Sequence, residues 1–185
     1  MKKLLTFAVC VLCLTHAAAE EDGKDKGSSR GGVYFGRATP LNFSKYFNPG
    51  YFGGISERDE IRTDGAVDYD VGADIEFGTF SLKTDDDYWL GMFGIDIFSR
   101  FYPAAFRVPY LSASAGFVAF FGEYAELYAL KLSAGGGLNI PLGSVSLALD
   151  IKYTLAVNFG GANTYWPVRL ELIVPFSIFD IIAKD

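Results

Sequence analysis

Hydrophobic residues occupy every second position through most of this chain. Over residues 144–159, Val145, Leu147, Leu149, Ile151, Tyr153, Leu155, Val157 and Phe159 share one face. Ser144, Ser146, Ala148, Asp150, Lys152, Thr154, Ala156 and Asn158 share the other. A period of two marks a β-strand, whose successive side chains point to opposite faces. The alternation recurs over residues 67–77, 89–101, 111–121, 128–140 and 166–174, which makes six clear strands. Residues 32–38 and 50–56 predict two more, both interrupted by glycines, and residues 177–183 compete with the latter for the eighth place. Short turn-forming stretches separate the strands, at Lys83, Pro103, Gly122, Pro141 and Gly160 among others. Connections this short force antiparallel neighbours. The predicted fold is an all-β, eight-stranded, antiparallel up-and-down barrel. The longest uncharged run, residues 132–149, is broken by Gly135-Gly136-Gly137 and Pro141, so a membrane-spanning helix is not expected.

A barrel with one apolar face either turns that face inward and lives in water, or turns it outward and lives in lipid. The polar face separates the two. The exterior of a water-soluble barrel carries many long charged side chains. Here the polar face is mostly Ser, Gly, Ala, Thr and Asn with a few charges of both signs, which suits a narrow lumen. The strands are also long enough to cross a bilayer at a tilt. Aromatic residues gather near their ends, and Trp89, Phe101, Tyr128, Phe159, Tyr165 and Trp166 are assigned to the girdles that mark the two membrane interfaces. The apolar face is therefore expected to face lipid. The competing reading is a soluble periplasmic, lipocalin-like barrel holding an apolar ligand.

The first residues, Met1-Lys2-Lys3 and then an apolar run to Thr15 and Ala17-Ala18-Ala19, read as a cleaved signal peptide over residues 1–19. Residues 20–31, charged and rich in Gly and Ser, read as a flexible leader, and residues 32–185 as the barrel domain. Of the chain's 185 residues, 50% are hydrophobic and 16% aromatic, which excludes disorder for most of it. Cleavage removes Cys10, Cys13 and His16, the only residues of their kinds, and leaves 14 basic against 22 acidic residues. Disulfides, thiolate nucleophiles, a Ser-His-Asp triad and His or Cys metal ligation are then excluded. The acidic balance argues against nucleic acid as a partner.

With signal, alternation and girdles together, residues 32 to about 176 resemble the small bacterial outer-membrane β-barrels, of the outer-membrane protein A transmembrane domain and outer-membrane protein X type. The resemblance implies a monomer in the cell outer membrane. Its partners would be outer-membrane lipid and, during biogenesis, the barrel-assembly machinery. Members of this type commonly end in an aromatic residue on the last strand. This chain ends Ile181-Ile182-Ala183-Lys184-Asp185, so Phe176 or Phe179 is the nearest equivalent.

On this reading Asp68, Asp70, Asp74, Glu76, Asp96, Arg100, Glu126, Lys131, Asp150, Lys152, Arg169 and Glu171 line the lumen. Buried charges must pair or stay hydrated, so a ladder of salt bridges is expected. One register of the last hairpin sets Asp150 opposite Arg169 and another sets Lys152 opposite Glu171, while Asp70 can reach Arg100. The spacing of Asp68, Asp70, Gly72, Asp74 and Glu76 superficially matches a calcium loop, but an extended strand cannot wrap its ligands around one ion. Asp85-Asp86-Asp87 reads as a solvated turn. Paired carboxylates such as Asp74 with Asp96 could in principle do acid–base work, with nothing beside them to suggest a substrate pocket. No cofactor, metal or catalytic residue is expected. The functional reading is a structural or surface-interacting barrel, with narrow passive permeation of small solutes or ions as its second possibility.

Overall fold

The computed structural model describes residues 29–84, 88–105, 108–122, 125–158 and 160–177. Eight strands follow in order: β1 (Ser29–Pro40), β2 (Gly50–Ile61), β3 (Val67–Ser81), β4 (Trp89–Pro103), β5 (Pro109–Gly122), β6 (Ala125–Leu142), β7 (Val145–Asn158) and β8 (Gly161–Val174). Each pairs antiparallel with the next, and β8 returns to β1 to close the barrel. Residues 178–183 of the competing strand at 177–183, the segment at 1–19 and most of 20–31 lie outside the described residues. So do Phe159, Phe179 and Asp85-Asp86-Asp87. β1 begins at Ser29, three residues before the expected start of the barrel.

The register fixes the barrel's shape. A path from Arg30 through its successive partners Arg58, Gly72, Phe98, Ser114, Ser133, Thr154 and Tyr165 returns to β1 at Pro40. That displacement of ten residues along β1, with a rise of about 3.3 Å per residue and strands about 4.8 Å apart, tilts the strands by about 40° and sets a radius of about 8 Å. An interior of this width is filled by side chains.

Both ends of the described chain lie at one end of the barrel, with the strand ends Ile61, Val67, Pro103, Pro109, Leu142 and Val145; this is the turn end. The strand ends Pro40, Gly50, Ser81, Trp89, Gly122, Ala125, Asn158 and Gly161 mark the loop end. The β6–β7 connection is a two-residue hairpin, and Gly143 supplies the positive φ of 75° that a primed turn requires.

The solvent preference of the two faces is inverted relative to a water-soluble barrel. Phe35, Phe77, Leu111, Tyr128, Leu149, Ile151, Val168 and Leu170 are exposed on the outside. Arg58, Arg100, Asp150, Thr154 and Glu171 are buried within. The interior is therefore occupied by charge and the exterior by hydrocarbon side chains, opposite to a lipocalin-type barrel with an apolar ligand cavity.

Candidate functional site in the barrel lumen

Along β3 and β4 the inward positions grade from charged to apolar. On β3, from turn end to loop end, they are Asp68, Asp70, Gly72, Asp74, Glu76, Gly78 and Phe80. On β4 the corresponding series is Tyr102, Arg100, Phe98, Asp96, Gly94 and Met92. Glycines stand beside bulky inward groups, which fill the space their side chains would take. A Cβ on Gly72 would meet the Phe98 ring at 2.8 Å, and one on Gly137 would meet the Tyr110 ring at 2.6 Å.

At the turn end, Glu60 pairs with Arg30 at 3.1 Å and Arg62 at 2.9 Å. The Tyr102 hydroxyl donates to Asp70 Oδ2 at 2.8 Å. Above this, Glu171 is the hub. It accepts from Arg58 and from Ser56 Oγ, and Arg100 Nη2 lies 2.6 Å from its Oε2. Asp150 receives Arg169 at 3.0 Å, Arg100 at 3.2 Å and Lys152 at 3.6 Å. The Arg58 and Arg100 guanidiniums each lie 5.3 Å from the centre of the Phe98 ring, and Arg100 also lies 4.8 Å from the Tyr110 ring. The Nε and Nη1 atoms of both arginines have no hydrogen-bond acceptor. The aromatic faces supply electrostatic compensation for these cations.

The next level holds Arg169 on Asp74 at 2.7 Å, and beyond it Lys131 bridges Glu76 and Asp96, with 2.6 Å to Asp96 Oδ2. A void of about 20 Å³ lies among Asp74, Glu76, Asp96, Lys131, Lys152 and Arg169, room for about one water molecule.

Toward the loop end the filling changes to an apolar plug of Phe52, Phe80, Met92, Val118, Phe120 and Tyr165, among others, with Phe43, Phe47, Leu90 and Leu127 packed on it. The 41–49 connection covers this plug. Phe43 meets Phe80 edge-on at 5.8 Å, and Phe80 meets Tyr165 at 6.3 Å. The Asn42 side chain accepts from Thr164 N at 2.8 Å and donates to Ala162 O. On the other flank Asn48 N donates to Ser81 O and Lys83 N to Tyr46 O, both at 2.9 Å.

The structure turns Asp68, Asp70, Asp74, Glu76, Asp96, Arg100, Lys131, Asp150, Lys152, Arg169 and Glu171 inward and joins most of them in this network. The last hairpin adopts the register that sets Asp150 opposite Arg169. Arg100 stands directly opposite Asp70, and its guanidinium also reaches across to Asp150 and Glu171. Two assignments need correction. Glu126 is exposed on the outer face, in phase with Tyr128, because the inward positions of β6 there are Leu127, Ala129 and Lys131. Tyr165 is buried in the plug and belongs to no girdle, since adjacent strand residues point oppositely and its neighbour Trp166 holds the outer position. Trp89, Phe101, Tyr128 and Trp166 are exposed on the outside. Sequence reasoning missed Arg58 and Glu60, both inward on the far half of β2.

No protein-family model matches the chain, and no curated protein matches it in sequence. Among solved structures it is similar to Neisserial surface protein A, with TM-score 0.59 at 11% identity over 83% of this chain and all of that one. A second similarity, to the outer membrane protein Ail of Yersinia pestis, has TM-score 0.49 at 10% identity over 78% of this chain and 99% of that one. A closed, eight-stranded antiparallel barrel with hydrocarbon outside and ion pairs inside, superposable on Neisserial surface protein A, has the fold of a small outer-membrane β-barrel.

Proposed function

We propose that this protein is a monomeric bacterial outer-membrane barrel whose role is structural or surface-interacting, exported by its N-terminal signal and inserted by the barrel-assembly machinery. The observation that carries the reading is the inversion of its two faces: Arg100 and Glu171 are fully buried while Leu149 is 40% exposed. In water this arrangement exposes apolar surface on every side of the barrel, whereas in a bilayer it places that surface against lipid and closes all backbone hydrogen bonds within the barrel. The turn end, with its short hairpins, faces the periplasm, and the loop end faces outward.

Passive permeation is the weaker reading. Two features support a closed lumen: the ion-paired levels around Glu171 and Lys131, and the apolar plug under the 41–49 connection. A path for ions would have to cross both, and an apolar constriction resists wetting. Asp74 and Asp96 are each turned onto a cation, which weighs against an acid–base role.

The test is to refold the chain without its signal segment from urea into lipid vesicles and compare electrophoretic mobility with and without boiling. The expected result is vesicle association, a boiling-dependent shift and no steady conductance in a planar bilayer. Folding in plain buffer without a shift would overturn the membrane reading, and steady channel currents would overturn the closed lumen.

A further inference from the structure

We propose that the outer face where β8, β1 and β2 meet, near the loop end, seats the phosphate group of an anionic membrane lipid on Arg37. This rests on the reading of the apolar face as lipid-facing. Arg37 is in the outward phase of β1 between Phe35 and Thr39, and its side chain is exposed. Its strand partners are Tyr51 on β2 and Val168 on β8. The surroundings are apolar and aromatic. Phe35 stacks on Tyr51 with ring centroids 5.9 Å apart and planes 13° from parallel, and the exposed Trp166 pairs with Thr39 one step further along.

A guanidinium in the middle of a lipid-facing belt is costly, and near the interface it costs little. The long arginine stem can lie along apolar surface while its charged end reaches the headgroups. The local field favours an anion. From Gly31 to Ser56 the chain carries Arg37 and Lys45 and no Asp or Glu, and β8 from Gly161 to Leu170 carries no acid either. In a chain of net charge -6, this face reverses the sign. Lys45 extends it into the loop-end connection, with Nζ 5.7 Å from the centroid of the Tyr46 ring. A planar guanidinium matches phosphate oxygens in two-point contact. Tyr and Trp side chains are enriched at headgroup depth, where Tyr51 and Trp166 flank the site. The occupant is therefore a lipid of the leaflet at the loop end whose phosphate is not neutralised by a cationic headgroup.

The experiment uses the Trp89→Phe barrel, in which Trp166 is the one fluorophore of its kind, refolded into vesicles of phosphatidylglycerol and phosphatidylcholine. Insertion is verified by the mobility shift. Bromine is placed on one lipid or the other at constant composition, and quenching of Trp166 is compared. The expected result is quenching by the brominated phosphatidylglycerol as though it were enriched about fivefold at Trp166, the scale set by one cation near an anionic surface. Arg37→Lys is expected to keep most of this preference and Arg37→Gln to lose it. Equal quenching by the two lipids, or an unchanged preference in Arg37→Gln, would overturn the site. The comparison in the parent barrel decides by itself should Arg37→Gln fail to insert. A chain that stays out of the vesicles overturns the lipid-facing reading and this site together; an inserted barrel with equal quenching overturns the site alone.

Discussion

Asp74 and Asp96 stand directly opposite each other across β3 and β4, two carboxylates at one level of a closed lumen. Like charges facing across strands destabilise a sheet. The barrel resolves this by turning the two acids to different cations: Asp74 to Arg169 on β8 at 2.7 Å, and Asp96 to Lys131 on β6 at 2.6 Å. The partners come from strands distant in the chain, so the charge arrangement holds the cylinder together across its diameter as well as around its wall.

Lys131 is the more isolated of the two cations, since it bridges only Glu76 and Asp96 among the described residues while Arg169 also meets Asp150 and Glu171. Lys131→Met is expected to destabilise the folded barrel by about 3–5 kcal/mol, because it leaves buried carboxylates without their counter-charge. Adding Glu76→Gln and Asp96→Asn to the same chain removes the uncompensated charges and is expected to recover most of the loss. Urea unfolding of the three proteins in vesicles checks this. Equal stability of Lys131→Met and the parent would show that the ion pair contributes nothing.

Phe98 packs against two like-charged groups, Arg58 and Arg100, which also share Glu171. Its ring attracts both guanidiniums. Phe98→Leu keeps an apolar side chain there and removes the aromatic face, with an expected loss of about 2 kcal/mol from two desolvated cation–π contacts. The same substitution at Phe80, in the plug and away from these arginines, serves as the packing control. Unfolding free energies that fall equally in both variants would assign the effect to packing alone.

The class of fold was legible because the apolar period of two runs unbroken along β7 and nearly so along β3 to β5. The extent of β2 was not. Gly53 and Gly54 interrupt its apolar phase, and its outer positions then turn acidic at Glu57 and Asp59, so Arg58 and Glu60 read as loop when they are in fact inward strand residues. The plug was hidden for a different reason. Phe80, Met92 and Phe120 are the same residue types as the outer belt, and only the phase of each strand separates them. Phe120 and Phe121 are neighbours in sequence and face opposite sides of the wall. Charged residues in the middle of the clear strands were easier to place, because a lipid-facing wall excludes them from its central outer positions, whereas Glu126 near a strand end was not.

Gly137 permits the Tyr110 ring to lie across the lumen against Arg100. A Cβ there would sit 2.6 Å from both the ring carbon and the hydroxyl of Tyr110 and 2.1 Å from the Leu149 carbonyl oxygen. Gly137→Ala is therefore expected to cost about 1–3 kcal/mol through overpacking. Tyr110→Ala in the same chain clears the ring and is expected to restore only part of it, because the backbone contact remains. Refolding yield and urea midpoints of the single and double variants measure the two contributions.

The outward assignment makes a depth-dependent prediction that no soluble barrel shares. Leu149 lies in the interior of β7 and Leu142 at the turn-end limit of β6, and both are exposed on the outer face. An arginine facing lipid at the bilayer midplane costs about 2–4 kcal/mol, and one near the interface about 0–1 kcal/mol. Leu149→Arg is expected to impair insertion into vesicles strongly and Leu142→Arg barely. On a water-exposed exterior both substitutions would be tolerated alike, since each merely replaces an exposed leucine with a solvated cation. Reversible unfolding in vesicles of fixed thickness reads the two costs directly, and equal values for the two positions would place the apolar face in water.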